Sequence, residues 1–187
     1  MSSLELDFVV YLGDPEEGVP AMPSSKLVAE IDQHASRLQA SSLYGALTFT
    51  RGGKELVPRK SDPILPLLTA VVRAVRYIID GEPETALFGE SEYGVLFEPT
   101  GDDVFISFFS GDPYEPDELL LQQAAIKVGK FAEQVIAMGE RLKIILEKVD
   151  PVYWKEDDHA RSLSDFLDES KEAHKTFLLE VERGLRV

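Results

Sequence analysis

The stretch of residues 77–122 constrains the fold most, because it combines strand-forming residues with charge of a single sign. Residues 93–98 and 103–109 are rich in aromatic and β-branched side chains, and the turn sequence of residues 99–102 separates them. The stretch has no lysine, arginine or histidine, and it contains twelve carboxylates: Asp80, Glu82, Glu84, Glu90, Glu92, Glu98, Asp102, Asp103, Asp112, Glu115, Asp117 and Glu118. We therefore predict a buried sheet whose turns and rims are acidic.

The strand predicted over residues 103–109 is apolar on both of its faces. Val104, Ile106 and Phe108 lie on one face, and Phe105 and Phe109 lie on the other. A strand of this kind is typical of the centre of a sheet that is covered on both sides. We therefore expect a layer of structure on each face of this strand.

Shorter elements are predicted before this stretch and at its start. Alternating apolar residues indicate strands, helical spacing indicates a helix, and Gly52 and Gly53 supply the positive φ angles of a tight hairpin turn. These patterns predict strands over residues 4–12, 43–50, 54–57 and 85–88, and a helix over residues 24–39.

Residues 64–80 form the most apolar helix that the sequence predicts. Asp62 is a candidate N-cap, Pro63 suits the first helical position, and Gly81 suits a left-handed C-terminal cap. Apolar residues cover more than one face of this helix. We therefore expect it to be the most buried helix and to pack on the sheet.

Two long helices are predicted in the C-terminal part. The first begins at Asp117 and extends to Val149, and the second begins at a capping box formed by Ser162 and Asp165. The first carries an apolar stripe with alternating spacings of four and three: Leu121, Ala125, Val128, Ala132, Val135, Gly139, Leu142, Leu146 and Val149. We expect the two helices to form an antiparallel hairpin.

These elements predict an α+β fold. A mostly antiparallel sheet of five to six strands packs on the apolar helix, and a long C-terminal antiparallel helical hairpin covers the sheet or extends from it. Residues 1–116 form the body and residues 117–187 the hairpin of what we expect to be a single domain.

The charge excludes several classes of partner. The 187 residues include 34 acidic and 19 basic ones, so the formal net charge is −15. Binding to nucleic-acid phosphates or to anionic membranes requires a basic surface, and we expect neither partner. No cysteine is present, which excludes disulfides and thiolate zinc sites. No signal peptide and no long apolar span is visible, which predicts a cytoplasmic protein.

No catalytic or cofactor motif is visible in the sequence. His34, His159 and His174 have no second histidine at the spacing of a helical metal site. Ser91 lacks the glycine two residues later that a nucleophile elbow requires, and carboxylates flank it. We therefore predict no metal, no cofactor and no catalytic residue, which favours a binding protein over an enzyme.

Three functions stay open. The first is a non-enzymatic module that binds a basic protein, a physical profile shared with neutralising inhibitors such as bacterial immunity proteins. The second is an assembly protein that forms a homodimer through residues 117–149. The third is a hydrolase or ligand-binding enzyme whose paired carboxylates converge in a cleft.

The first function predicts a partner-binding surface with acidic residues for steering and aromatic residues for affinity. Its predicted members are Glu90, Glu92, Glu98, Asp102, Asp103, Asp112, Tyr114, Glu115, Tyr153 and Trp154. Tyr153 and Trp154 lie in the predicted connection between the two long helices. There they either fold back onto the core or stay exposed as anchors.

Overall fold

The computed structural model describes residues 3–186 and confirms the α+β class. Residues 1, 2 and 187 lie outside it, and they include part of the N-terminal segment in which no signal peptide was predicted. The strands divide between two antiparallel sheets instead of one. The first sheet contains β1 (Leu4–Tyr11), β2 (Ala21–Pro23), β3 (Tyr44–Arg51), β4 (Lys54–Glu55) and β5 (Asp62–Pro63).

The second sheet contains most of the acid-rich stretch, and its strands follow one another in chain order. They are β6 (Glu84–Leu87), β7 (Tyr93–Thr100), β8 (Asp103–Gly111) and β9 (Pro116–Lys127). The helices are α1 (Ser24–Ala29), α2 (Ile31–His34), α3 (Ile64–Asp80), α4 (Val128–Val149), α5 (Pro151–Glu156) and α6 (Asp158–Glu182).

Local signals located several elements correctly. Helix α3 has the predicted bounds, and Gly81 ends it in the left-handed conformation with φ of 85°. Gly52 and Gly53 form the turn between β3 and β4 with φ of 59° and 76°. The predicted helix over residues 24–39 was wrong beyond its first turns. Its backbone leaves helical geometry at Glu30, because only Leu27 and Ile31 of α1 and α2 bury apolar side chains.

The first long helix does not begin at Asp117, because residues 116–127 form β9. Strand β9 pairs with β8 along its length and satisfies the backbone groups on the second edge of β8. Ala124 and Ile126 are buried and Ala125 and Lys127 are exposed, which is the alternation that a strand requires. The helix therefore begins at Val128 and has 22 residues.

The last helix begins earlier than the capping box predicted. Asp157 is its N-cap, and the Asp157 carboxylate accepts hydrogen bonds from the His159 and Ala160 N–H groups. Ser162 lies inside the helix, where its hydroxyl donates to the Asp158 carbonyl at 2.9 Å. The predicted Ser162–Asp165 capping box is therefore wrong, because the helix already begins after Asp157, whose side chain caps it five residues upstream.

Helices α4 and α6 form the predicted antiparallel pair and pack with α3 into one hydrophobic cluster. The apolar stripe of α4 packs against other elements of the same chain. Val128, Val135, Leu142 and Leu146 are buried there. The stripe was predicted to form the contact of a homodimer through residues 117–149. That prediction loses its basis, because the protein's own helices and strands cover these side chains.

One face of the second sheet packs against helices. Phe97 lies 5.2 Å from Phe131 of α4, measured between ring centroids, and Ala86 and Val95 belong to the main hydrophobic cluster. Phe109 faces the other way and lies outside that cluster, yet it is fully buried, and Ser107 on the same face is buried as well. Both faces of the middle of β8 are therefore buried, as the sequence predicted for a central strand.

The close approach of three helices at Gly139 generates a stability prediction. A Cβ atom at Gly139 would lie 2.6 Å from Leu167 Cδ2 and 2.9 Å from Val72 Cγ2. Overpacking costs about 1–3 kcal/mol, and replacing a helical glycine with alanine returns about 1 kcal/mol. We expect Gly139→Ala to lower the free energy of unfolding by up to about 2 kcal/mol in urea titrations.

The matched control is a double-mutant cycle with Leu167→Ala. That truncation alone should cost about 2–5 kcal/mol, because Leu167 is buried. It also makes room for the new methyl group, so the double variant should lose less than the sum of the two single losses. Strict additivity of the two losses would show that Gly139 is not required for this contact.

Candidate functional site

The antiparallel strands bring part of the predicted surface together at one end of the second sheet. Residues 90 and 92 precede β7 and residues 112–118 follow β8, and the Gly111 N–H donates to the Glu92 carbonyl at 2.9 Å. We call this surface the acidic end. Its members are Glu90, Glu92, Asp112, Tyr114, Glu115, Asp117 and Glu118.

The remaining predicted acids lie at the opposite end of the same sheet. Glu98, Asp102 and Asp103 lie at or beside the turn between β7 and β8. Asp103 and Phe109 are six steps apart along β8, which corresponds to about 20 Å. The acids of the predicted surface therefore do not all lie together, because a hairpin places its turn and its open end far apart.

Few of the twelve carboxylates of residues 77–122 are neutralised. Glu84 pairs with Arg73 at 2.7 Å, and Asp103 pairs with Lys127 at 3.1 Å. Among residues 3–186, the other ten form no ion pair. In the helical part, by contrast, Lys171 is shared between Glu140 and Asp168. Most carboxylates of residues 77–122 are therefore left without a counter-ion among the described residues.

Asp62 holds the loop of the acidic end that contains residues 88–92. The Gly89 N–H donates to Asp62 Oδ2 at 2.9 Å, and the Glu90 N–H donates to Oδ1 at 3.0 Å. Asp62 is fully buried, and burial raises its pKa although the two backbone hydrogen bonds lower it. Its predicted role as the cap of α3 was wrong, because the carboxylate points to this distant loop.

A groove of about 550 Å³ lies beside this loop. The Tyr44 hydroxyl donates to Glu90 Oε2 at 2.8 Å, and the Lys60 amine donates to the Tyr93 hydroxyl at 2.7 Å. The charged residues that line the groove are Asp14, Glu16, Glu90, Arg59 and Lys60. The groove therefore extends the acidic end toward the first sheet, with Lys60 as a positive group on its wall.

Tyr153 and Trp154 belong to α5, where both side chains are half-buried and packed against the core. Helix α5 packs on α4 and α6. Burial raises the pKa of Tyr153, and Asp157 contributes to the same direction. Helix α4 begins beside Asp102 and is about 33 Å long, so α5 lies far from the turn between β7 and β8. The ten predicted residues therefore do not form one surface.

A network that the sequence did not reveal joins β1, α1 and α4. Arg141 donates from Nε to Ser24 Oγ at 2.7 Å and from a terminal nitrogen to Asp7 Oδ1 at 2.8 Å. The buried Ser24 hydroxyl donates to the same Asp7 oxygen at 2.7 Å. Residues separated by more than a hundred positions leave no local signal. A serine fixed between a guanidinium and a carboxylate has a structural role and is not an activated nucleophile.

Metal and membrane chemistry receive no support from the described residues. Within residues 3–186, no group of three or more histidine, aspartate or glutamate residues is placed to hold a metal ion. None of the helices described there has both the length and the apolar character that crossing a bilayer requires.

No protein-family model, no curated protein and no solved structure matches this chain. The geometry of the site therefore has to carry the functional conclusion.

The raised pKa of Asp62 predicts a pH dependence of stability. A carboxyl group whose pKa is higher in the fold than in the unfolded chain binds its proton more tightly in the fold. Its contribution is fully present below the ordinary value of 3.8 and is lost as pH rises through the raised value. The free energy of unfolding of the wild type, measured relative to Asp62→Asn, should therefore fall as pH rises above the ordinary value of 3.8.

The exposed residue Asp165 provides the matched control. It has no ion pair among the described residues, so Asp165→Asn is the reference for the same chemical substitution at a position that holds no loop. Urea titrations of the three proteins at each pH measure both differences. A difference for Asp62→Asn that grows as pH rises would show that the two backbone hydrogen bonds outweigh burial.

Proposed function

We propose that this chain is a non-enzymatic binding protein that recognises a basic protein partner through its acidic end, as a neutralising inhibitor of the immunity type does. The observation that carries the proposal is the unpaired charge of this surface. Among the described residues, none of the six carboxylates of the acidic end forms an ion pair. Such a surface gains free energy when lysine or arginine side chains of a partner approach it.

An exposed tyrosine lies among these carboxylates. Tyr114 is 75% exposed, in a turn where Asp112 Oδ1 accepts hydrogen bonds from the Tyr114 and Glu115 N–H groups. Tyrosine supplies a large contact area at a low cost in side-chain entropy, and it is enriched at interface hot spots. Tyr114 is therefore the aromatic anchor that this proposal assigns to the acidic end.

The charge also predicts a fast association with the partner. A formal charge of −15 and an acidic surface attract a positive partner over distances of about one Debye length, which is about 8 Å at physiological salt. Steering of this kind raises association rates by about 10- to 1000-fold, and added salt removes the gain. Fast, salt-sensitive association is what a neutralising inhibitor of a basic protein requires.

A carboxylate-based hydrolase has weaker support. Acid–base hydrolysis requires one desolvated carboxyl group that faces the substrate, beside a second that stays ionised. Asp62 is desolvated, but both of its oxygens accept backbone hydrogen bonds that hold the loop. Glu90, Glu92 and Asp102 are exposed, so none of them has the required burial.

Charge reversal tests the proposal. The variant Glu92→Lys/Glu115→Lys/Glu118→Lys changes three exposed acids that make no side-chain hydrogen bond among the described residues. The wild type and this variant serve as baits for affinity capture from native lysate, and mass spectrometry quantifies the captured proteins. We expect the wild type to enrich basic proteins and the variant to lose them. Their association rates with the wild type should fall steeply as salt is added.

The matched control places the same charge change on the helices. Glu147→Lys/Glu156→Lys/Glu182→Lys reverses three other exposed acids, so both variants have the same net charge. This control should retain the captured proteins, because the position of the charge decides binding. Equal losses in the two variants, or an enriched set that is not basic, would contradict the proposal.

A further inference from the structure

Helix α6 carries one apolar stripe that is covered in its first half and exposed in its last turns. The buried residues of this helix repeat at the spacing of one helical face: Ala160, Leu163, Leu167 and Ser170. His174 is half-buried at the next position of this spacing, and Leu178, Val181 and Leu185 follow. These last three are 46%, 45% and 70% exposed, and we call them the exposed stripe.

The stripe loses its cover because α6 extends to and past the start of α4. A Cβ atom added at Gly139 would meet Leu167, and one added at Gly129 would meet Phe177, so the two helices run in opposite directions. Helix α4 begins only one residue before Gly129. Its side chains therefore cover α6 as far as Phe177 and leave the following turn exposed.

The end of α6 is nevertheless held in place. Gly184 has a φ of 67°, and the Leu185 N–H donates to the Glu180 carbonyl at 2.9 Å, which is the hydrogen bond of a Schellman cap. Arg186 pairs with the Glu180 carboxylate at 2.8 Å and donates to the Ile79 carbonyl of α3 at 2.6 Å. The exposed stripe is therefore an ordered surface and not a frayed helix end.

A cleft of about 370 Å³ lies beside the exposed stripe, between α4 and α6. Ile136 of α4 and the side chains of Leu178 and Leu179 form its apolar lining, and Lys175 and Glu182 add one base and one acid. The same small region thus offers an apolar cleft and, at the end of α6, an exposed leucine. These are the two halves of one contact.

We propose that this region binds a second copy of the chain, with the last turns of two α6 helices packed antiparallel about a twofold axis. Leu178 of each copy then lies against Val181 of the other, at the spacing of an antiparallel helix pair. Leu185 of each copy enters the cleft of the other. A twofold interface has to be self-complementary, and a cleft and a leucine on the same surface meet this requirement.

The charges beside the stripe favour the antiparallel arrangement. Lys175 and Glu182 are seven residues apart, so they lie on the same flank of α6. Antiparallel packing brings Lys175 of each copy beside Glu182 of the other, and the symmetry makes this ion pair twice. Within its own chain Lys175 has only an exposed contact with Glu172 at 3.5 Å, and Glu182 forms no ion pair among the described residues.

The contact is independent of the acidic end. Helix α4 begins beside the Asp102 carbonyl, at the turn between β7 and β8, and the acidic end lies at the other end of that sheet. The distance between the two ends is about 20 Å, which exceeds two Debye lengths of about 8 Å at physiological salt. Three exposed apolar residues per copy make a small interface, so we expect a dissociation constant of about 10–100 µM.

Sedimentation of the full chain from about 10 µM to about 1 mM tests the inference. We expect the wild type to form a dimer over this range. Lys175→Glu and Glu182→Lys should each raise the dissociation constant about three- to tenfold, because each places like charges across the axis. The double variant Lys175→Glu/Glu182→Lys restores two opposite-charge pairs and should recover the affinity of the wild type.

The matched controls make the same changes of net charge elsewhere. Lys155→Glu and Glu147→Lys alter exposed residues of α5 and α4 that form no ion pair among the described residues, and they should leave the dimer unchanged. Leu178→Ser/Leu185→Ser should weaken the dimer tenfold or more, to a dissociation constant on the order of 1 mM. Leu87→Ser/Val152→Ser changes two similarly exposed residues outside α6 and should have no effect.

The outcomes decide for or against the inference. A wild type that stays monomeric at about 1 mM, a dimer that tolerates Leu178→Ser/Leu185→Ser, or a double charge variant no tighter than the single ones would overturn it. Thermal melting verifies that each variant is folded. Capture of basic partners should survive Glu182→Lys, since the acidic end is unchanged, so failure of the dimer and failure of the proposed function are separate results.

Discussion

The pairing of β8 with strands on both of its edges is the constraint on which the rest of the structure depends. A central strand buried among apolar neighbours has to satisfy its backbone N–H and carbonyl groups on each side. Strand β7 supplies one set of partners and β9 the other. Residues 116–127 therefore pair with β8 as a strand and do not continue the helix. The Val128 N–H donates to the Asp102 carbonyl where α4 begins. The position of α4, and with it the packing of α6 and α3, follows from this pairing.

The same pairing decides where the charge lies. Because β7 and β8 are antiparallel, the residues before β7 and the residues after β8 meet at one end, and the turn that joins the strands lies at the other. A continuous acidic stretch of sequence is thus divided between the two ends of the sheet. Asp62 strengthens the arrangement from the first sheet, since its buried carboxylate holds the loop that precedes β7.

The elements that the sequence predicted correctly are those with strong local signals. Pro63 and Gly81 define the ends of α3, and Gly52 and Gly53 define a hairpin. Strand β9 was missed because Leu121 and Ala125 also match a helical spacing, and only the need of β8 for a partner decides between the two patterns. The sequence predicted the negative charge of the acidic end but not which of the acidic residues lie together. The roles of Asp62 and Arg141 depend on contacts with residues far away in the sequence.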